Sequence, residues 1–187
     1  MIAALMVAMM AVSMAASANV IVNGSFEDQQ SQWPADWRGN IDPFGAWYVD
    51  NAWGAIDGEY VAVCDAPDGD GICWFWTLQE IPAGDYTLSA WTNPVTWWWP
   101  EPQALYFDLG GDVLVFPLEA GWTHIEKNVT VTTPAPLRIG ALNYRDDGLL
   151  LDDVRMVAVP EARGLIVMFM ALGWMKWRRY FGRADSV

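Results

Sequence analysis

Between residues 19 and 159 the chain is a succession of short runs rich in Val, Tyr, Trp and Thr, each stopped within a few residues by Gly, Pro, Asn or Asp. Apolar residues returning every three or four positions, the mark of an amphipathic helix, are almost absent. β-Branched and aromatic side chains suit a pleated, half-buried surface, and the breakers suit turns, so the stretch reads as strands joined by hairpins and crossovers. Strands are predicted over 20–22, 46–49, 60–64, 73–78, 86–91, 104–109, 113–116, 123–131, 137–141 and 150–157. Breakers such as "IPAGDY", "LGGD" and "TTPAP" fall between them. Roughly nine or ten short antiparallel strands with regular turn signals predict an all-β jelly-roll β-sandwich, because a parallel sheet would need crossover helices.

The two ends differ from this middle. Residues 1–18 hold no charged side chain and finish in Ala16-Ser17-Ala18, a small-x-small pattern suited to cleavage before Asn19, so they read as a secretory signal peptide. Residues 160–187 form a tail whose apolar run, Gly164 to Met175, is twelve residues long, whereas a helix spanning a bilayer needs about 20. The run predicts a short apolar helix, followed by a basic cluster that includes Lys176, Arg178 and Arg179. The domain of residues 19–159 carries five basic and 21 acidic side chains, a net charge of −16. Such a body repels phosphate backbones, which argues against nucleic acid as a partner, while basic residues beside an apolar run favour the cytoplasmic side of a membrane. Cys64 and Cys73 close the short loop "CDAPDGDGIC", and in an exported chain that pair is expected to oxidise to a disulfide. With one histidine, His124, far from both in sequence, the cysteines match no zinc spacing.

The opening "NVIVNGSFED", the mid-domain "IPAGDYTLSAW" and the closing "LLLDDVRMVAVPE" resemble secreted β-sandwich proteins related to galactose-binding-like domains and jelly-roll carbohydrate-binding modules. The tail resembles the PEP-CTERM sorting signal of Gram-negative bacteria, in which Val-Pro-Glu-Pro precedes a short apolar segment and an arginine cluster. Val159, Pro160, Glu161, Arg178 and Arg179 match that order, and Ala162 stands where the motif has its second proline. The resemblance implies recognition and cleavage of the tail by an exosortase in the inner membrane, which the chain occupies transiently before it reaches the cell surface or the extracellular matrix. It also implies a structural Ca²⁺ between the first and last strands, held by Glu27 and by Asp152 or Asp153. Hard oxygen ligands from the two ends of the domain would staple the sandwich shut; the alternative is that these acids are solvated strand-end charges. Asp65, Asp68 and Asp70 in "DAPDGDG" crowd oxygen donors among glycines but lack the bidentate glutamate of a twelve-residue calcium loop, so they read as a turn.

Eleven of the 13 tryptophans fall in the domain, three of them consecutive: Trp97, Trp98 and Trp99 in "NPVTWWWPEP". Successive strand residues face opposite ways, so three adjacent indoles cannot all enter one core. An exposed indole face stacks on the C–H face of a sugar, and Glu101 nearby would take hydroxyl hydrogen bonds. The alternative for the triplet is a cap on the end of the sandwich. Trp33, Trp37, Trp47, Trp53, Trp74, Trp76 and Trp91 are read as core or loop packing. No G-x-S-x-G nucleophile motif accompanies His124, and no pair among 21 carboxylates is singled out for glycoside hydrolysis. The sequence therefore predicts a non-catalytic exported surface or matrix protein that binds polysaccharide or another extracellular partner, with a small polysaccharide hydrolase as the alternative.

Overall fold

The computed structural model describes residues 18–30, 33–39, 41–42, 45–65, 71–95, 104–143 and 148–159. Among these residues there is no helix, and hence none long and apolar enough to cross a membrane. The thirteen strands are β1 (Gln29–Gln30), β2 (Trp33–Pro34), β3 (Trp37–Gly39), β4 (Ile41–Asp42), β5 (Gly45–Asp50), β6 (Val61–Asp65), β7 (Gly71–Ile81), β8 (Gly84–Val95), β9 (Ala104–Asp108), β10 (Val113–Pro117), β11 (Thr123–Val131), β12 (Ala135–Asn143) and β13 (Gly148–Ala158). One sheet runs β10-β9-β12-β7-β3, the other β11-β8-β13-β6-β5-β4, and β1 and β2 form a small hairpin. Every pairing is antiparallel. Sequence-distant strands are therefore sheet neighbours, and the two faces that meet form the core of a jelly-roll sandwich.

Nine of the ten predicted runs are strands; the run at 20–22 is not. There Asn19 makes one bridge to Val157, and its Oδ1 accepts from the amides of Met156 (2.8 Å) and Ile21 (3.1 Å). The chain then turns away through Asn23 and Phe26, both at positive φ (52° and 61°). Gly24 is required at this turn, since a Cβ there would lie 1.9 Å from the carbonyl oxygen of Val154, whose amide donates to Gly24 O (2.9 Å). The strand total rises to thirteen through β1 to β4, pieces of two or three residues too short to show alternation in sequence.

Alternation along β7 and β12 fills the core. Phe75, Leu137, Ile139 and Ala141 are buried and pack with Leu88, Ala90, Leu149, Leu151, Val154 and Met156 of the opposite sheet. Phe75 is sandwiched between two indoles, Trp37 at 4.4 Å and Trp47 at 4.8 Å between centroids, with Phe26 edge-on to Trp37 at 5.4 Å. Each buried indole nitrogen has an acceptor, Trp37 Nε1 on Asn23 O (3.0 Å) and Trp47 Nε1 on Cys73 O (3.1 Å), which removes the desolvation cost of those N–H groups. In β13 the register against β8 slips between Asp152 and Arg155, around Asp153 at φ 49°. One extra residue in that bulge transfers the inward positions from Leu149 and Leu151 to Val154 and Met156. Cys64 and Cys73 are disulfide-bonded with their Cα atoms 6.2 Å apart, and since β6 and β7 belong to different sheets, the bond ties one sheet to the other.

Candidate functional site

The residues of β7 that point away from the core are Trp74, Trp76 and Leu78, because Cys73, Phe75 and Thr77 are buried. Strand register sets what lies beside them on the outer face of the five-stranded sheet. One row across it reads Arg38, Trp76, Arg138, Asp108, Val113, and the next reads Trp74, Gly140, Tyr106, Val115. Trp74, Trp76 and Tyr106 are half-buried, and Val113 and Val115 are exposed. Gly140 is the gap in this face: a Cβ there would sit 2.8–2.9 Å from three ring carbons of Trp74, so the indole lies across the glycine. The Arg138 guanidinium stands 4.9 Å from the Trp74 ring centroid and 3.4 Å from Asp108 Oδ2, and Asp108 Oδ1 accepts from the Gly111 amide (2.9 Å). The result is a sheet face of ring surface, guanidinium donors and one carboxylate acceptor. It can offer stacking area to an apolar ring face and hydrogen bonds to its edge.

The outer face of the six-stranded sheet differs. There Val61, Val63 and Leu150 are buried beneath Tyr48, Ala55, Val95 and Trp122, so part of that face is covered. Trp91 faces outward on β8 with its ring 5.0 Å from that of His124, an exposed residue of β11.

Of the tryptophans read as packing, Trp37 and Trp47 are core, whereas Trp74, Trp76 and Trp91 stand on outer faces and Trp53 is 36% exposed on the loop after β5. The outward three differ from that expectation because strand parity, and not the usual burial of tryptophan, sets which face a side chain takes. The signal was in "GICWFWTLQEI", where the indoles alternate with Cys73, Phe75 and Thr77. Trp97, Trp98, Trp99 and Glu101 lie outside the described residues; β8 ends at Val95 in one sheet and β9 begins at Ala104 in the other. Asp68 and Asp70, and the side chain of Asp65, are likewise outside. Val159 is exposed just after β13, and Pro160, Glu161, Arg178 and Arg179 lie beyond the described residues.

Glu27 and Asp152 both hold the loop between β5 and β6. Glu27 Oε1 accepts from the amides of Glu59 and Tyr60 (both 2.9 Å), and Asp152 Oδ2 from those of Ile56 (2.7 Å) and Asp57 (2.9 Å). Asp152 is fully buried, and burial pushes its carboxyl above the usual carboxylate range, against the lowering pull of the Asp57, Ile56 and Asp153 amides. Asp153 instead turns to Arg155, which it binds at 2.5 Å, and that arginine also reaches Asp57 at 3.9 Å. Among the described residues no three His, Cys, Asp or Glu side chains gather as a metal site. Glu27 Oε2 takes no hydrogen bond among the described residues, and the buried Asp152, whose two oxygens accept three amides, has no cationic partner there.

No protein-family model matches the sequence, and no curated protein matches it. Solved structures do. The carbohydrate-binding module TmCBM61, determined with β-1,4-galactotriose, superposes with a TM-score of 0.56 at 23% identity, over 76% of this chain and 100% of that one. The CBM22-1 xylan-binding domain from Paenibacillus barcinonensis gives 0.52 at 14% identity, over 77% of this chain and 96% of that one. The enzymatically active domain of tailspike protein 4 from bacteriophage CBA120 gives 0.54 at 13% identity, over 75% of this chain but 21% of that one. At these identities the likeness is one of fold, and the fold is the jelly-roll sandwich of carbohydrate-binding modules.

Proposed function

We propose that this chain is a non-catalytic exported cell-surface or extracellular-matrix protein that binds polysaccharide on the outer face of its five-stranded sheet. The observation that carries this reading is the pair Trp74 and Trp76, half-buried on the outer sheet face beside Tyr106 and the Arg138–Asp108 pair. Jelly-roll neighbours with galactotriose- and xylan-binding descriptions support it. The binding reading is favoured over hydrolysis because the described rows around the rings hold one carboxylate, Asp108, whereas glycoside hydrolysis needs two carboxylates flanking the bond. Trp97, Trp98, Trp99 and Glu101 belong to the same proposal as further contacts. So does a structural Ca²⁺, which Glu27 and Asp152 would hold, adding charge compensation to a loop they already bind. Sorting by an exosortase, with transient residence in the inner membrane of a Gram-negative bacterium, rests on the order of Val159, Pro160, Glu161, the apolar run, Arg178 and Arg179.

Retention of the full chain on a panel of polysaccharides tests the binding face. Trp74→Ala and Trp76→Ala are expected to weaken retention at least ten-fold, since central aromatic anchors are worth roughly 2 kcal/mol or more. Unchanged retention in both variants would move the site to the tryptophan triplet if its alanine variants lose binding. Release of soluble product from the same polymers would establish the hydrolase instead.

A further inference from the structure

The binding face holds two of the domain's few basic side chains, both beside one ring. Of five basic residues against 21 acidic ones, two, Arg38 and Arg138, flank Trp76 on either side across β3, β7 and β12. Of the others, Arg155 is engaged by Asp153 and Asp57, Lys127 stands on β11 of the other sheet, and Arg145 lies outside the described residues. With strands about 4.8 Å apart, the two arginines start roughly 10 Å from each other with the Trp76 ring between them. Arg38 is half-buried and directs Nη1 to Trp37 O (2.6 Å), while the Arg138 side chain is 45% exposed.

Asp108 partners Arg138 weakly. Their closest N–O distance is 3.4 Å and the guanidinium is solvent-exposed, and such pairs contribute about 1 kcal/mol or less. A guanidinium in that state keeps planar N–H donors for a carboxylate, which it binds bidentately and more strongly than a hydroxyl. The acidic body repels a polyanion at a distance, but salt screens that repulsion beyond about 8 Å, so contact is decided by the local charges. Building on the binding face described above, we propose that its ligand is a carboxylate-bearing glycan, a uronate-containing polysaccharide, with a sugar stacked on Trp76 and its carboxylate taken by Arg38 or Arg138.

Affinity electrophoresis of the full chain through polygalacturonate and through alginate, each run beside its carboxyl-reduced neutral form, tests this. The expected result is retention by at least one acidic polymer and retention at least ten-fold weaker by its reduced form. Arg38→Gln and Arg138→Gln should each weaken retention on the acidic polymer several-fold more than they weaken retention on its carboxyl-reduced form. Asp108→Asn, which removes the competing carboxylate, should tighten it. A thermal midpoint for each variant checks folding, and if Arg138→Gln does not fold, Arg38→Gln and Asp108→Asn carry the test through their opposite signs. Equal retention on acidic and reduced forms, or on neutral polymers alone with Trp74→Ala still damaging, would overturn the carboxylate proposal and leave the binding face standing. Retention by no polymer at all would overturn both.

Discussion

Gly140 owes its place to the ring above it. Any side chain at this position pushes Trp74 off the sheet and away from Arg138, since even a Cβ falls inside 3 Å of the indole. Gly140→Val is therefore expected to cost about 1–3 kcal/mol, the usual penalty of overpacking, and to weaken polysaccharide retention as much as Trp74→Ala does. Denaturant unfolding and retention measured on one preparation check this, and a variant with full affinity would show that the ring's position is immaterial. The same residues show what a sequence discloses at this scale. The alternation in β7 holds the signal that Trp74 and Trp76 face outward, against the expectation that they pack inside, but nothing in the chain announces that Gly140, 66 residues after Trp74 in sequence, is its cross-strand neighbour. Trp37 and Trp47, by contrast, behave as their composition suggests and enter the core.

At the scale of elements, long strands were legible and the segments between them were not. The run at 123–131 coincides with β11, and the eight other runs that form strands differ by a few residues at their ends. A bulge such as that at Asp153 cannot be read from "LLLDDVRMVA", because it depends on which strand lies alongside. The loop between β5 and β6 reads as a plain Gly- and Asp-containing turn, yet its amides bind two carboxylates from opposite ends of the domain. If calcium joins Glu27 and Asp152 there, EDTA should lower the thermal midpoint and added Ca²⁺ restore it, with about 2.7 kcal/mol of stabilisation at a hundred times the dissociation constant. Glu27→Gln should abolish that response. A midpoint indifferent to EDTA would remove calcium from the account and leave the two carboxylates as direct clamps on the loop.

For the whole molecule, an all-β sandwich followed from composition and turn spacing, whereas the order of strands in each sheet did not, because antiparallel pairing across long sequence separations leaves no periodic trace. Mass spectrometry of the mature protein tests the proposed export and sorting: the chain is expected to begin at Asn19 and to finish near Pro160, and an intact terminus at Val187 would make the tail an anchor. The strand that leads to that tail is β13, which lies between β8 and β6 and takes the single bridge to Asn19 at Val157, beside the end from which the tail leaves. Tension applied at Val159 while the sheet face grips a polymer would thus run lengthwise along a central strand. Such a load strains many cross-strand hydrogen bonds together, whereas an edge strand would peel away one bond at a time, so the central place of β13 would let the domain resist pull at Val159 if it binds a polymer as proposed.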